Sequence, residues 1–197
     1  MHADSTPPGV FEFLDATHRR VDQHLKRLRL LVDRIAADGL DHAAQKEARE
    51  VLDFFNSEAR QHHLDEEKHI FPALLASGDD KVVHAARSLT QDHGWLEENW
   101  LYIEPMVEAA ADGNGWFDTT ELASALDVFE ALYNDHMALD TLPGRCRLEQ
   151  DFRSVGLDEL VDDLRARHVP VEAVEGELQL SWWTTVFEDI VKEIGRA

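Results

Sequence analysis

Histidine and carboxylate residues recur along this chain at positions where a helix stripe would otherwise be apolar. The 197 residues include 11 histidines and one cysteine, so imidazole and carboxylate groups rather than thiolates are the available metal ligands. The gaps in the apolar stripes hold His18, His62, Glu66, His93, His136 and Asp140. Glu66 and Asp140 each follow a histidine by four residues, which places the two side chains of each pair on one helix face.

Together these side chains have the composition of a dinuclear metal site. Buried carboxylates at Glu66 and Asp140 would be costly without a partner, and no lysine or arginine lies in the stripes to pair with them. Four imidazoles and two carboxylates suit iron, manganese or zinc better than calcium or magnesium. Because two carboxylates on facing helices can bridge two ions, the pattern predicts a site for two metal ions.

Four long helices are predicted to position these residues. Their ranges are about 10–37, about 42–76, about 80–111, and from the Asp118–Thr120 segment to about 142. The connections are short, so consecutive helices are expected to be antiparallel neighbours. We therefore expect an all-α fold, with an antiparallel up-down-up-down four-helix bundle in residues 10–142. Pro105 is expected to kink the third helix or to interrupt one of its turns.

The four histidines are expected at one level of that bundle. Counting residues from the predicted helix ends, at about 1.5 Å per residue, puts them within roughly one helical turn of a common plane. In the second helix the predicted apolar stripe is Val51, Phe55, Ile70 and Ala73, and the ligand-type residues fall in its gap. A common level supports a single shared site rather than separate core histidines.

The C-terminal residues, the net charge and the absence of long apolar segments limit the possible partners and the compartment of the protein. Residues 143–197 are expected to form a C-terminal extension, mixed or helical, of unassigned role; one expectation for it is a homodimer contact. The net charge of −21 argues against nucleic acid and anionic membrane surfaces as partners. The chain starts without a secretory signal and contains no window apolar enough to span a bilayer, so the cytoplasm is the expected compartment.

The segment HHLDEEKHIFP, residues 62–72, resembles the second-helix pattern of the hemerythrin-like, HHE cation-binding family. The segments around His18, around His93 and around HMALD at residues 136–140 are similar to the other three helices of the family, so the resemblance covers about residues 10–142. Counting back from Pro72 selects His62 and Glu66 as the second-helix ligands. The rival pair, His63 and Glu67, stays open.

This resemblance implies a non-haem di-iron centre, with two iron ions per chain bridged by Glu66 and Asp140. The chain departs from the family's oxygen carriers at the third helix, where those proteins have two histidines four residues apart. Here Glu97 follows His93 by four residues. Either Glu97 is a further ligand or one iron keeps an open position, which favours reaction with peroxide, oxygen or nitric oxide over simple carriage.

The function that the resemblance implies is binding of oxygen, or of a related small molecule such as nitric oxide or peroxide, as carrier, store or sensor. The alternative is an enzyme: a di-iron oxidase or peroxidase, or a protein that donates iron for stress repair of iron–sulfur centres. No catalytic residue is assigned from the sequence, and enzymatic activity is left open. Tyr133, one turn before His136, is expected to pack in the core.

Overall fold

A computed structural model describes the backbone of residues 10–139 and the side chains of residues 16–138. All the long elements in that range are helices, so the prediction of an all-α fold is confirmed there. The expected extension at residues 143–197, with its homodimer contact, lies outside the described residues. No helix in the described part of the chain is both long and apolar enough to cross a bilayer.

The helices form four rods. The first is α1, Val10–Asp38, and the last two are α5, Asp80–Ala111, and α6, Thr119–Leu139. The second rod consists of α2 (His42–Phe54), a first π-helical turn (Phe55–Ala59), α3 (Arg60–Asp65), a second π-helical turn (Glu66–Ile70) and α4 (Phe71–Leu75). The rods therefore occupy nearly the ranges that the apolar stripes predict.

Local side-chain and backbone signals set several helix ends. The Asp41 carboxylate accepts a hydrogen bond from the backbone N–H of Ala44 at 2.7 Å, which caps α2. Asp79 caps α5 in the same way, accepting from the N–H of Lys81 at 2.9 Å. After α1 the chain turns at Gly39, whose φ of 82° lies in the left-handed region that favours glycine.

The two π-helical turns change which residues of the second rod face the core. A π turn contains an additional residue, so the buried face moves around the helix after it. Ile70 is buried as predicted, but Leu74 is buried and Ala73 is exposed, the reverse of the expected register. The prediction for Ala73 was wrong because the sequence pattern assumed a regular helix.

Pro105 lies inside α5, and the helix continues through it from Asp80 to Ala111. The expected interruption of one turn is therefore absent from this helix. Pro105 is on the exposed side of α5, as is Leu101, whose carbonyl loses its helical partner to the proline. Water can satisfy that carbonyl, which explains why the helix tolerates the proline.

Each rod packs against two others, since α1 contacts α2 and α6, and α5 also contacts α2 and α6. Ion pairs join α1 to the second rod and to the residue that caps it. Residues further along α1 pair with residues earlier in the second rod, as expected for antiparallel helices. The pairs are Arg20 with Glu58, Arg27 with Glu47, and Arg34 with Asp41. These partly exposed pairs contribute little stability singly, but they record the relative direction of the two rods.

An apolar core fills most of the space between the rods. Its centre is an aromatic group in which the ring of Phe55 lies 4.8 Å from Trp100 and 5.3 Å from Phe129, between ring centroids. The indole N–H of Trp100 donates to the Asn56 side-chain oxygen at 2.7 Å, so its one polar atom is satisfied. Tyr133 packs at the border of this core and is buried, as expected.

Candidate metal centre

Beyond the aromatic group, the interior of the helices becomes polar. His62, His63, Glu66, His93 and His136 are all at most 4% exposed, although such residues are rarely buried without a specific reason. They come from three rods. His18 on the first rod, α1, joins them with a side chain that is 11% exposed. The four rods thus bring histidines from distant parts of the sequence to one level.

A first group of potential ligand atoms is formed by His18, His62, Glu66 and His136, all within 4.8 Å of one another. The Nε2 atoms of His18 and His62 lie 2.8 Å apart. The Glu66 Oε1 atom lies 3.5 Å from His62 Nε2 and 3.9 Å from His18 Nε2. Three imidazoles around a carboxylate are a donor set that suits iron or zinc.

A second group is formed by His63, His93 and His136, also within 4.8 Å. The ring of His63 stacks on His93 with centroids 4.1 Å apart, and the His93 and His136 centroids are 4.9 Å apart. Since His136 belongs to both groups, the two lie side by side.

Glu66 lies between the two groups. While Oε1 faces His18 and His62, Oε2 accepts a hydrogen bond from His93 Nε2 at 3.0 Å and lies 3.9 Å from His136 Nε2. One carboxylate therefore presents an oxygen to each group. This is the arrangement that a carboxylate between two cations requires.

The sequence left two ligand pairs open on the second rod, His62 with Glu66 and His63 with Glu67, and residues of both pairs lie in or beside the site. His62 and Glu66 face the first group, as the sequence predicts, and His63 also faces inward. Glu67 accepts a hydrogen bond from His93 Nδ1 at 2.7 Å, which leaves the other ring nitrogen of His93 directed toward Glu66. A carboxylate in this position orients a histidine ligand and increases its basicity. The two registers are thus complementary in the structure, while the ligand assignment itself stays a prediction.

Glu97, the candidate additional ligand, is in neither group of ligand atoms. Its carboxylate accepts two hydrogen bonds from the guanidinium of Arg60, one of them of 3.0 Å from Nε. Arg60 is beside the stripe, at the start of α3, and reaches Glu97 across the gap between rods. The other predicted carboxylate ligand, Asp140, lies outside the described residues.

Burial and hydrogen bonds set the protonation of the histidines. Burial lowers the pKa of His62 to about 4 and that of His136 to about 3. It opposes protonation of His93 too, but the hydrogen bonds to Glu66 and Glu67 outweigh it and raise the pKa of His93 to about 9. Although burial alone would raise it, His62 and His93 hold the pKa of the Glu66 carboxyl well below its usual range. At neutral pH the site therefore presents neutral imidazoles at His62 and His136, and a protonated His93 beside the ionised Glu66 carboxylate.

Several buried nitrogen atoms in this site have no hydrogen-bond partner among the described residues. They are His62 Nδ1, His63 Nε2, His136 Nδ1 and His136 Nε2. Buried polar atoms are normally satisfied, and an unsatisfied one costs about 1–3 kcal/mol. Neutral imidazoles with free nitrogens beside an ionised carboxylate are the donor set that a transition-metal ion uses, so these residues fit a bound metal.

Sequence reasoning did not place His63 in the site together with His62. Consecutive residues point about 100° apart on a helix, so the argument had to choose one of the two. The adjacent histidines and the adjacent glutamates of the segment HHLDEE were the available signal. The π turns on either side of α3 had no sequence signal that the apolar pattern could reveal.

Comparison with known proteins agrees with this geometry. The helical rods and the buried histidine–carboxylate cluster define a helical cation-binding protein. The family model described as hemerythrin HHE cation binding domain matches residues 9–141, and the chain belongs to that family. A Haemophilus influenzae (strain ATCC 51907 / DSM 11121 / KW20 / Rd) protein described only as uncharacterized is 30% identical over 97 residues. That match covers 49% of this chain and 56% of the relative, so the chain spans little more than half of the relative's length.

Proposed function

We propose that the chain is a non-haem di-iron protein that binds oxygen, or a related small molecule such as nitric oxide or peroxide, as carrier, store or sensor. Its fold would be an antiparallel four-helix bundle, which the opposite order of the ion pairs between α1 and the second rod supports. Family membership supports cation binding. The choice of iron, the number of ions and the small molecule are the proposal.

The observation that carries the proposal is the position of Glu66. Its two oxygens face two neighbouring groups of imidazoles. Within each group the potential ligand atoms lie within 4.8 Å of one another. His18 and His62 would hold one ion, His63 and His93 the other, with Glu66 and His136 between them. Asp140 would add the second carboxylate. A pair of iron ions supplies the redox chemistry and the coordination positions that oxygen and nitric oxide need.

Anaerobic loading with ferrous iron, followed by exposure to oxygen, tests this function. We expect two iron ions per chain by elemental analysis and an oxygen-dependent absorption band that disappears when oxygen is removed. The matched control is the same protein loaded with zinc, which has no redox chemistry and should show no such band. Iron content well below two per chain would disprove the dinuclear centre, and iron without an oxygen-dependent band would exclude reversible oxygen binding.

A second candidate, turnover of hydrogen peroxide, is favoured by the small number of donors around the second ion. Within the described residues that group has three imidazoles and one facing oxygen of Glu66, and Glu97 is held by Arg60 instead of adding to them. A metal with few protein ligands keeps positions for a substrate. Disproportionation of two peroxide molecules to two water molecules and one oxygen molecule needs no other reactant. Oxygen evolution by the iron-loaded protein, and none by the zinc-loaded protein, would favour this function over carriage.

A further inference from the structure

A small pocket lies against the second group of ligand atoms, on its apolar-core side. His63, a member of that group, lines it together with Tyr133. Much of the remaining wall is apolar and includes Phe55, Leu96 and Phe129. The space admits a water-sized molecule, which is also the size class of dioxygen, nitric oxide and hydrogen peroxide.

Exposure of the lining residues shows where the pocket meets solvent. Only Arg60 and Glu97 among them are partly exposed, with side chains 21% and 16% accessible; the others are buried. A molecule that enters from solvent must therefore pass between these two side chains. We call Arg60 and Glu97 the mouth of the pocket.

A bidentate ion pair spans the mouth. Arg60 is on α3 and Glu97 is on α5, and two parallel hydrogen bonds join the guanidinium to the carboxylate. The planar geometry of this pairing gives it direction as well as attraction. Because the pair joins two different rods, loss of either partner would widen the gap between α3 and α5 at the pocket that His63 lines.

The interior of the pocket selects for small molecules without net charge. Aromatic and aliphatic walls offer no partner to a hydrated ion, and desolvating one there would be costly. The lining includes Tyr133 and His63, and the Nε2 atom of His63 has no hydrogen-bond partner in the part of the chain that the structure describes. A small molecule inside the pocket would thus lie against His63, a member of the second group of ligand atoms.

We propose that this pocket is the entry chamber through which a small uncharged molecule, such as dioxygen, nitric oxide or hydrogen peroxide, reaches the second metal ion, with the Arg60–Glu97 pair as its gate. The inference rests on the proposed function for the identity of the molecule. It gives Glu97 a role as a gate residue instead of a metal ligand.

The first experiment measures access to His63 in the metal-free protein. Replacement Glu97→Ala removes the gate, and Glu130→Ala is the matched control because Glu130 also joins two rods by pairing with an arginine, Arg29, away from the pocket. Deuterium exchange at the imidazole C2 position, read by tandem mass spectrometry, reports each histidine separately. We expect several-fold faster exchange at His63 in Glu97→Ala and no change in Glu130→Ala. Equal exchange at His63 in both variants would overturn the gate.

The second experiment uses nitric oxide as the probe of the ferrous iron-loaded protein, with stopped-flow absorption. Glu97→Ala should increase the association rate several-fold, and Ala59→Leu, which fills the pocket from its wall, should decrease it. Iron content is measured in parallel. Retention of both iron ions in Glu97→Ala supports a gate, whereas loss of one ion would make Glu97 a ligand and overturn the inference.

The two experiments separate failure of the gate from failure of the proposed function. If no variant gives a nitric oxide signal, the proposed function is wrong, and the exchange at His63 alone decides whether Glu97 closes the pocket. If Ala59→Leu does not fold, as judged by circular dichroism, Glu97→Ala with its control still gives the decision. Nitric oxide rates that are the same in Glu97→Ala, Glu130→Ala and the unmodified protein would exclude this route.

Discussion

The apolar core and the histidine site are built on the same four helical rods, yet they satisfy their buried atoms in different ways. In the core, Phe55, Trp100 and Phe129 pack against one another, and the indole N–H of Trp100 has its acceptor within the chain. In the site, nitrogen atoms of His62, His63 and His136 are buried without such a partner. The core is therefore complete as a protein structure, whereas the site leaves nitrogen atoms that a bound cation could use.

We infer from this difference that the apolar core mainly provides stability and that the histidine site mainly provides function. Burial of apolar surface stabilises the fold whether or not a metal is bound. Buried polar groups without partners lower stability until a ligand satisfies them, and strained or unsatisfied positions are typical of functional sites. Changes in the core should therefore affect folding with little effect on metal content. Changes in the site should lower metal content, with little effect on the stability of the metal-free protein.

The largest expected effect is loss of metal on replacement of Glu66. Glu66→Ala removes the only carboxylate that faces both groups of ligand atoms within the described residues, so we expect bound iron to fall to a trace. The metal-dependent stabilisation, which would be about 4 kcal/mol at free metal 1,000-fold above Kd, should disappear with it. Elemental analysis and thermal unfolding with and without chelator measure both. Glu58→Ala, which removes a carboxylate paired with Arg20, is the control and should retain the metal.

The next effect belongs to the apolar core. Leu126 is fully buried, and Leu126→Ala should lower the free energy of unfolding by about 2–5 kcal/mol through lost burial and the cavity that remains. Urea unfolding of the metal-free protein gives this value. Iron content after refolding should be close to normal. A Leu126→Ala protein that is stable but has lost its metal would contradict the division between core and site.

A smaller effect is expected from Glu67, which supports the site without joining either group of ligand atoms. Glu67→Ala removes the acceptor of His93 Nδ1, so metal affinity should fall by about 10–100-fold while both ions can still be bound at saturation. Competition with a chelator measures the affinity. Glu98→Ala, an exposed carboxylate on α5, serves as the control. Loss of one whole ion at saturating metal would instead favour the His63–Glu67 register.

The smallest effect concerns His24, a histidine outside the metal centre. Its ring stacks on Phe54 at 3.7 Å, and burial, opposed in part by its hydrogen bond to the Arg20 carbonyl, lowers its pKa from 6.5. The unfolded chain then binds more protons than the folded chain as pH falls through about 6.5, so the neutral ring contributes stability above that pH that is lost below it. We expect a smaller decrease in stability between about pH 7 and about pH 5 for His24→Gln than for the unmodified chain.

Chemical denaturation at both pH values, in the presence of chelator, gives this comparison. Gln23→Ala, at the exposed neighbouring position, is the control for a change in helix propensity alone. An equal pH dependence in His24→Gln and the unmodified chain would show that the stacked ring is not responsible.

Much of the helical framework could be predicted because its signals are local. The range 80–111 predicted for the third helix coincides with α5, and Asp41 and Asp79 cap the helices that follow them. Apolar residues at helical spacing, such as Val21, Leu25 and Leu28, are buried as expected. These features depend on residues within one or two turns of each other, so the sequence contains what is needed to recognise them.

The sequence-based predictions were wrong or incomplete where the orientation of a side chain depends on residues far away in the sequence. The exposed Ala73 and the inward-facing His63 follow from two π-helical turns, and such turns depend on packing between rods. Glu97 pairs with Arg60, 37 residues away, and neither residue by itself indicates the other. A sequence pattern describes one helix at a time, so it cannot predict which side chain a neighbouring helix will present.

By itself, the sequence determined the four helices, the ligand-type residues among their apolar stripes and the resemblance to the hemerythrin-like family that the comparison then confirmed. Helical periodicity and family motifs are properties of short segments, so both can be recognised without knowledge of the fold. Only the tertiary structure decided that Glu66 faces two groups of imidazoles, that Glu67 accepts a hydrogen bond from His93, and that Glu97 pairs with Arg60 beside a pocket. Those arrangements depend on distances across the bundle, which the packing of the rods sets.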